Sequence, residues 1–270
     1  MSKRVLEGKV AIVTGAGRGL GRAFAERLAA LGCDVAVHGL RETGPLEYGG
    51  THTLTDVARS IADRYSVRTI KLLGDLTRPE DVDRVIGDAA ARLGPIDILV
   101  HNAGGDIAAA GGKPDPNDVV HIRPEDVRAV IDRNLLSTIF VCQRVARDMM
   151  QRRTGRIVTI GSVAAFKGRT NASIYATAKA GAMHFTRCLA DQMRTYDVTV
   201  NAIAPGDTRT ERFLATRTVD AARLAEAGTL DRIATVDEVA RVLELFVGPM
   251  GAFVSGQVIR VDGGGQTWPA

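Results

Sequence analysis

Short β-branched, apolar runs recur along this 270-residue chain, each followed by a longer amphipathic stretch, and this alternation constrains the fold more than any other feature. KVAIVTG leads into FAERLAALG, DVAVHG into TLTDVARSIADRY, and TIKLLGD into a helix expected from Glu80 to Leu93. The series continues with IDILVHNAG, a long helix through Asp126 to Met150, RIVTIGS, a helix carrying Tyr175 and Lys179, VTVNAIAPG and finally QVIRVDGG. Near-continuous apolar strands are buried on both faces, and parallel strands need helical crossovers. The pattern therefore predicts an α/β fold, a doubly wound parallel sheet of about seven strands with helices on both faces. No Pro/Ser/Gly linker interrupts it, so residues 1–270 read as one domain.

Composition removes several function classes. With 45% hydrophobic and 24% charged residues there is material for a sizeable core. No apolar run approaches the roughly 20 residues of a membrane span. The start, MSKRVLEGKVAIV, lacks the apolar core and cleavage site of a signal peptide, so no membrane association and a cytoplasmic location are expected. The net charge of +4 suits an anionic ligand, but the basic residues are scattered and aromatics make up only 4%, which argues against nucleic acid as a partner. Cys33, Cys142 and Cys188 are far apart in apolar contexts and are expected as buried free thiols. His38, His52, His101, His121 and His184 show no HxxxH or HxH spacing, and no metal site is expected.

Two segments carry chemistry. TGAGRGLG, residues 14 to 21, stands at the first strand-to-helix turn, where Gly15, Gly19 and Gly21 permit a tight bend and let a pyrophosphate approach the helix N-terminus. A tight turn also uses glycine for conformation alone. SIYATAKAG, residues 173 to 181, places Tyr175 and Lys179 four apart, on one helix face, among small residues. A phenol titrates near 10 and exchanges a proton at neutral pH only if a nearby cation stabilises its phenolate.

The ordered set TGAGRGLG, GDL at 74 to 76, NAG at 102 to 104, Asn134 within DRNLLS, Ser162 after RIVTIG, YATAK at 175 to 179 and NAIAPG at 201 to 206 resembles the short-chain dehydrogenase/reductase family along essentially the whole chain. The resemblance implies a Rossmann-type domain that interconverts a secondary alcohol and a ketone with NAD(P)(H). It implies Tyr175 as general acid/base, Ser162 as hydrogen-bond partner of the substrate oxygen, Lys179 as both cation and ribose ligand, and Asn134 as holder of a water linking the lysine to solvent. It implies a cofactor cleft of Gly15, Arg18, Gly19, Leu20, Gly21, Asp75 and Leu76, then Asn102, Ala103 and Gly104, then Pro205, Gly206, Thr208 and Thr210. Taken singly, Ser162, Asn134 and Asp75 also fit strand-end, cap and turn positions. Family members usually form oligomers, so a homotetramer or homodimer is expected.

Departures from the family pattern bear on specificity. Thr208 stands where an apolar residue is usual, and a lid at about 207–230 carries Arg209, Arg212, Arg217 and Arg223, with Lys167 and Arg169 near Ser162. These favour a small polar substrate such as a sugar, polyol or hydroxy acid, against the alternative that they form a solvated charged face. A 3-oxoacyl thioester reductase is the second reading; Phe140 and Asp191 stand where carrier-dependent members place arginines. A catalytically inactive nucleotide-binding regulator is the third. At the end of the second strand Gly39 replaces the aspartate common in NAD-preferring members, and Arg41 and Arg18 are available to a 2′-phosphate. NADP(H) is thereby favoured over NAD(H). The competing reading packs Leu40 on the adenosine of NAD(H). The long loops after the second and fourth strands have no assigned role; the latter either walls the substrate pocket or makes a subunit contact.

Overall fold

A computed structural model describes residues 4–225 and 228–268. β1 (Val10–Thr14) runs into α1 (Gly19–Ala30), β2 (Asp34–Gly39) into α2 (Leu54–Tyr65), and β3 (Thr69–Leu73) into α3 (Pro79–Leu93). β4 (Ile98–His101) is followed by α4 (Pro124–Ile131) and α5 (Ser137–Arg152), then by β5 (Gly155–Ile160) and α6 (Ser173–Met193). β6 (Val198–Pro205), the short α7 (Glu211–Thr216), α8 (Val236–Val247) and β7 (Val258–Val261) complete the order. All seven strands are parallel, in the order β3-β2-β1-β4-β5-β6-β7. Chain direction across the sheet reverses between β1 and β4, and a crevice at such a switch point lies beyond the carboxyl ends of the strands.

The two-residue alternation of the strands sorts the core into two layers. Ala11 and Val13 of β1 face α1, α2 and α8, where Phe24, Leu28, Ile61, Leu243 and Phe246 pack; Val10 and Ile12 face α3, α5 and α6 with Val85, Ile86, Val145, Met149 and Met193. Each such buried side chain contributes about 1.5–3 kcal/mol. α2 and α8 begin with reciprocal capping boxes, Thr53 with Asp56 and Thr235 with Glu238. α3 and α4 begin with Pro79 and Pro124 at the first turn, where a missing N–H costs nothing.

Two expectations need correction. The helix through Asp126 to Met150 is not regular, because Asp132–Leu136 form a π-helical turn between α4 and α5. The extra residue turns Asn134 inward, where its amide donates to Val130 O at 2.8 Å and Gly105 O at 2.9 Å, and its Oδ1 accepts Gly105 N–H at 2.8 Å. Cys33 and Cys142 are buried, their thiols pushed up to about 12 by burial, but Cys188 is exposed. The buried face of α6 passes through Thr186, Leu189, Ala190 and Met193, and helical periodicity leaves position 188 on the solvent side.

Candidate active site

The carboxyl ends of β1 and β4 are locked together from below. Thr14 is fully buried, and its hydroxyl oxygen accepts the N–H groups of Asn102 and Ala103, both at 3.0 Å. Its own proton points to His101 Nδ1 at 3.1 Å, which leaves the His101 Nε2–H facing Ser137 Oγ at 3.4 Å. Asn102 returns the clamp, donating to Thr14 O at 3.3 Å and Gly15 O at 3.1 Å. Gly15 sits at φ +62°, and a Cβ there would lie 3.0 Å from Ala103 Cα. At Gly21, inside α1, a Cβ would lie 2.0 Å from Gly15 O, so no side chain fits and the turn stays open to a phosphate. Gly19 and Leu20 open α1 beside it. His38 supports the turn from β2, with Nδ1 accepting Gly15 N–H at 3.4 Å and Nε2 against Gly74 O at 3.1 Å. Burial holds both histidines neutral, pulling His38 down to about 4 and His101 to about 3.

Ser162, Tyr175 and Lys179 meet where β5 ends. Ser162 leaves the strand with its hydroxyl accepting Ala164 N–H at 3.2 Å. One turn apart on α6, the Lys179 ammonium is 5.9 Å from the centre of the Tyr175 ring. Lys179 is buried and donates to Ile160 O at 2.7 Å; burial pulls its pKa down to about 8. Burial raises the Tyr175 phenol, while a hydrogen bond with Ser162 and the charges of Arg212 and Arg217 act the other way. Asn134 shares this centre through the backbone: a Cβ on Gly104 would lie 2.6 Å from Asn134 Oδ1 and 3.4 Å from Lys179 Nζ. Its side chain is spent on fixing the Gly104–Gly105 strand end beside the lysine.

Ser162, Tyr175 and Lys179 line a cleft of about 790 Å³, together with Leu20, Asn102, Gly104, Pro205, Gly206, Thr208 and Thr210, while Asn134 is buried behind it. Thr208 donates to Gly206 O at 3.1 Å, and Thr210 caps α7 by accepting Phe213 N–H at 3.2 Å. The loop after β4 walls the opposite side. Arg212 donates to Asp106 O at 2.6 Å and Lys113 to Thr216 O at 3.3 Å, tying the segment after β6 to that loop. Asn117 donates to Asp106 Oδ2 at 2.8 Å, which leaves Asp106 Oδ1 and Asn117 Oδ1 buried without a donor.

Arg18, Arg41, Asp75 and Leu76 are not brought into this cleft. The loop after β2 turns at Gly44–Gly49 and covers the glycine turn. Arg18 donates to Gly44 O at 2.9 Å, pairs with Glu47 Oε2 at 3.0 Å and lies over the Tyr48 ring, 4.7 Å from its centre. Arg41 holds the other carboxylate oxygen of Glu47 at 2.7 Å, and Leu40 is exposed. Asp75 uses Oδ1 to accept the backbone and hydroxyl of Thr77, at 3.0 and 2.8 Å, and the Leu76 side chain belongs to the core. Ala103 lies on the Thr14 clamp, beneath the cleft. Sequence reasoning missed Thr14, His38, His101 and Glu47. The polar residues closing otherwise apolar strands were the readable signal for the first three; Glu47 had none, because it acts only through the fold of its loop.

The short chain dehydrogenase pattern matches residues 9–220. The chain belongs to the short-chain dehydrogenase family. The 3-oxoacyl-(acyl-carrier-protein) reductase FabG of Escherichia coli (strain K12) is 33% identical over 258 residues, covering 96% of this chain and 97% of the reductase. Cyclohexanol dehydrogenase of Rhodococcus sp. (strain TK6) is 35% identical over 269 residues, 96% of each chain. The structure of a 7α-hydroxysteroid dehydrogenase complexed with NADH and 7-oxo glycochenodeoxycholic acid superposes with a TM-score of 0.82 at 28% identity, covering 97% of this chain and 96% of the other. As a short-chain dehydrogenase, the protein is an NAD(P)(H)-dependent oxidoreductase acting on CH–OH groups. The open glycine cradle at the β1–β4 switch point fits a dinucleotide. No helix among the described residues is long and apolar enough to cross a membrane.

Proposed function

We propose that this short-chain dehydrogenase interconverts a secondary alcohol and a ketone on a polar small molecule such as a sugar, polyol or hydroxy acid, with Tyr175 as the proton carrier. The observation that supports this most is the buried Lys179 ammonium one turn from the Tyr175 ring, with Ser162 hydrogen-bonded to the phenol. Ser162 and Tyr175 grip the substrate oxygen, and Tyr175 takes its proton in oxidation or returns it in reduction. Lys179, held in place by Ile160 O, stabilises the phenolate and bonds the ribose hydroxyls. Asn134 is a positioning residue, keeping the Gly104–Gly105 backbone against Lys179. The coenzyme supplies or accepts the hydride, which no side chain can do.

Gly15, Gly19, Leu20 and Gly21 hold the pyrophosphate; Arg18 and Arg41 hold the 2′-phosphate, and Asp75 and Leu76 the adenosine end. Asn102, Ala103, Gly104, Pro205, Gly206, Thr208 and Thr210 complete the nicotinamide end, and residues from about 207 to 230 form a lid. NADP(H) is the preferred coenzyme. Arg18 and Arg41 already converge on one carboxylate, that of Glu47, which supports their capacity to hold an oxyanion, and Gly39 offers no carboxylate to repel a 2′-phosphate. The polar groups in the lining, Asp106, Lys113, Asn117 and Arg212, support a hydrophilic substrate. The FabG relatives favour a second reading, reduction of a 3-oxoacyl thioester. Against it, Phe140 packs partly on the core and Asp191 pairs with Arg194 at 3.5 Å, so neither position supplies the arginine that carrier-dependent members place there. The protein works in the cytoplasm as a homotetramer or homodimer. β7 is a half-exposed sheet edge, with Met250 and Phe253 projecting nearby, which supports assembly there. Turnover of NADP(H) and NAD(H) with a panel of polyols, sugar acids and acetoacetyl-coenzyme A tests the substrate and coenzyme readings; activity confined to the thioester would overturn the polar-substrate reading.

A further inference from the structure

The reaction cleft does not end at Tyr175. A second chamber of about 660 Å³ lies between the segment after Ser162, the lid and the C-terminal segment. It shares Val163, Arg169, Asn171, Gly206, Asp207 and Arg217 with the cleft, so the two adjoin, with the Arg217–Asp207 pair at their border. We propose that this chamber receives the carboxylate end of an elongated, polyhydroxylated acid whose reacting carbon sits at Ser162 and Tyr175. The proposal rests on the polar-substrate reading above and deepens it.

Charge accounting within the chamber carries the inference. Arg217 is paired with Asp207 at 2.9 Å, and Arg232 with Glu238 at 2.9 Å. The Asp262 carboxylate is occupied by the N–H groups of Gly264 and Gln266, each at 3.1 Å. Lys167, Arg169 and Arg223 also line the chamber, and among the described residues none has a carboxylate partner. Among the described residues the walls set five cations (Lys167, Arg169, Arg217, Arg223 and Arg232) against three carboxylates (Asp207, Glu238 and Asp262), an excess of two positive charges. Polar atoms without partners supply a second, independent sign. Gln266 is only 7% exposed and spends its amide N–H on Val163 O at 3.0 Å, yet its Oε1 has no donor; Arg223 Nε is buried without an acceptor. A buried polar group left unpaired is costly, and such groups mark places where a ligand or water completes the set. In the cleft, Asp106 Oδ1 and Asn117 Oδ1 are two more orphaned acceptors. Orphaned acceptors call for hydroxyl donors, and the unpaired cations call for an oxyanion. A chain of hydroxyls ending in a carboxylate meets both demands; a neutral polyol meets only the first, and an unsubstituted acyl chain meets neither.

The test is calorimetric titration of the whole protein, with and without NADP(H), using gluconate, sorbitol and sorbitol 6-phosphate as probes. Gluconate is expected to bind at least about tenfold tighter than sorbitol. Arg223→Gln should reduce that ratio by about tenfold and Arg223→Lys should largely restore it, which separates lost charge from lost folding. Equal affinity for gluconate and sorbitol, or a ratio unchanged in Arg223→Gln, overturns the chamber assignment. Tight binding of the phosphate ester with no preference for gluconate overturns the carboxylate. Gluconate bound in this way but oxidised with neither coenzyme would sink the reaction reading and leave the chamber standing. Turnover of neutral polyols with no charge preference would do the reverse.

Discussion

His38 and His101 make acid stability a direct readout of the scaffold beneath the coenzyme cradle. Both are 2% exposed, and burial lowers them from an ordinary 6.5 to about 4 and about 3. Between 6.5 and those values the unfolded chain binds protons that the folded chain refuses, so stability is complete above 6.5 and falls as the pH drops towards the folded values. At pH 5 each histidine lies about 1.5 units below its unfolded pKa, a loss of about 2 kcal/mol per residue at about 1.36 kcal/mol per unit. Together this is about 4 kcal/mol against a typical total of roughly 5–15 kcal/mol. Carboxylates held low by partners, such as Glu42 and Glu238 at about 2, begin to contribute only below their ordinary 4.5, which is why pH 5 isolates the histidines. Urea unfolding followed by circular dichroism at pH 7 and pH 5, at one protein concentration, measures the difference. His101→Gln keeps a polar group between Thr14 and Ser137 but cannot titrate, and should remove about 2 kcal/mol of the acid loss. An unchanged acid loss in that variant, or histidine resonances titrating near 6.5 in the folded protein, would refute the reasoning.

Other perturbations address the chemistry and assembly. Tyr175→Phe should cut turnover by roughly 100-fold or more while leaving coenzyme binding nearly intact; retention of a tenth of wild-type activity would show that another group carries the proton. Lys179→Ala should harm both turnover and coenzyme binding, since one ammonium serves the phenol and the ribose. Glu47→Gln should release Arg18 and Arg41 and lower the Michaelis constant for NADP(H) without a matching change for NAD(H), whereas Arg41→Ala should raise it; equal effects on both coenzymes would dismiss the 2′-phosphate assignment. Light scattering at micromolar concentration should give a multiple of 28.7 kDa, and a particle of that mass alone would reject the oligomer.

Strand and helix identity was legible because each strand is a short run dominated by apolar, mostly β-branched residues and each helix has its own periodicity, both local properties of neighbouring residues. The opening glycine turn and the Tyr175–Lys179 pair were legible for the same reason: their geometry is set within one turn of backbone. What no local pattern carried was anything made by residues distant in the chain. The π-helical turn at Asn134 exists because its amide must meet Gly105, 29 positions away. The clamp of Thr14 on Asn102 spans 88 positions, and the meeting of Arg18 with Glu47 depends on a loop that has no regular structure to announce it. The second chamber is more distant still, assembled from residues at 163 to 171, 206 to 238 and 261 to 266. Sequence determines which charges exist, but only folding decides which of them find partners, because pairing is a matter of distance in space, and the cations left over define what the cavity is able to bind.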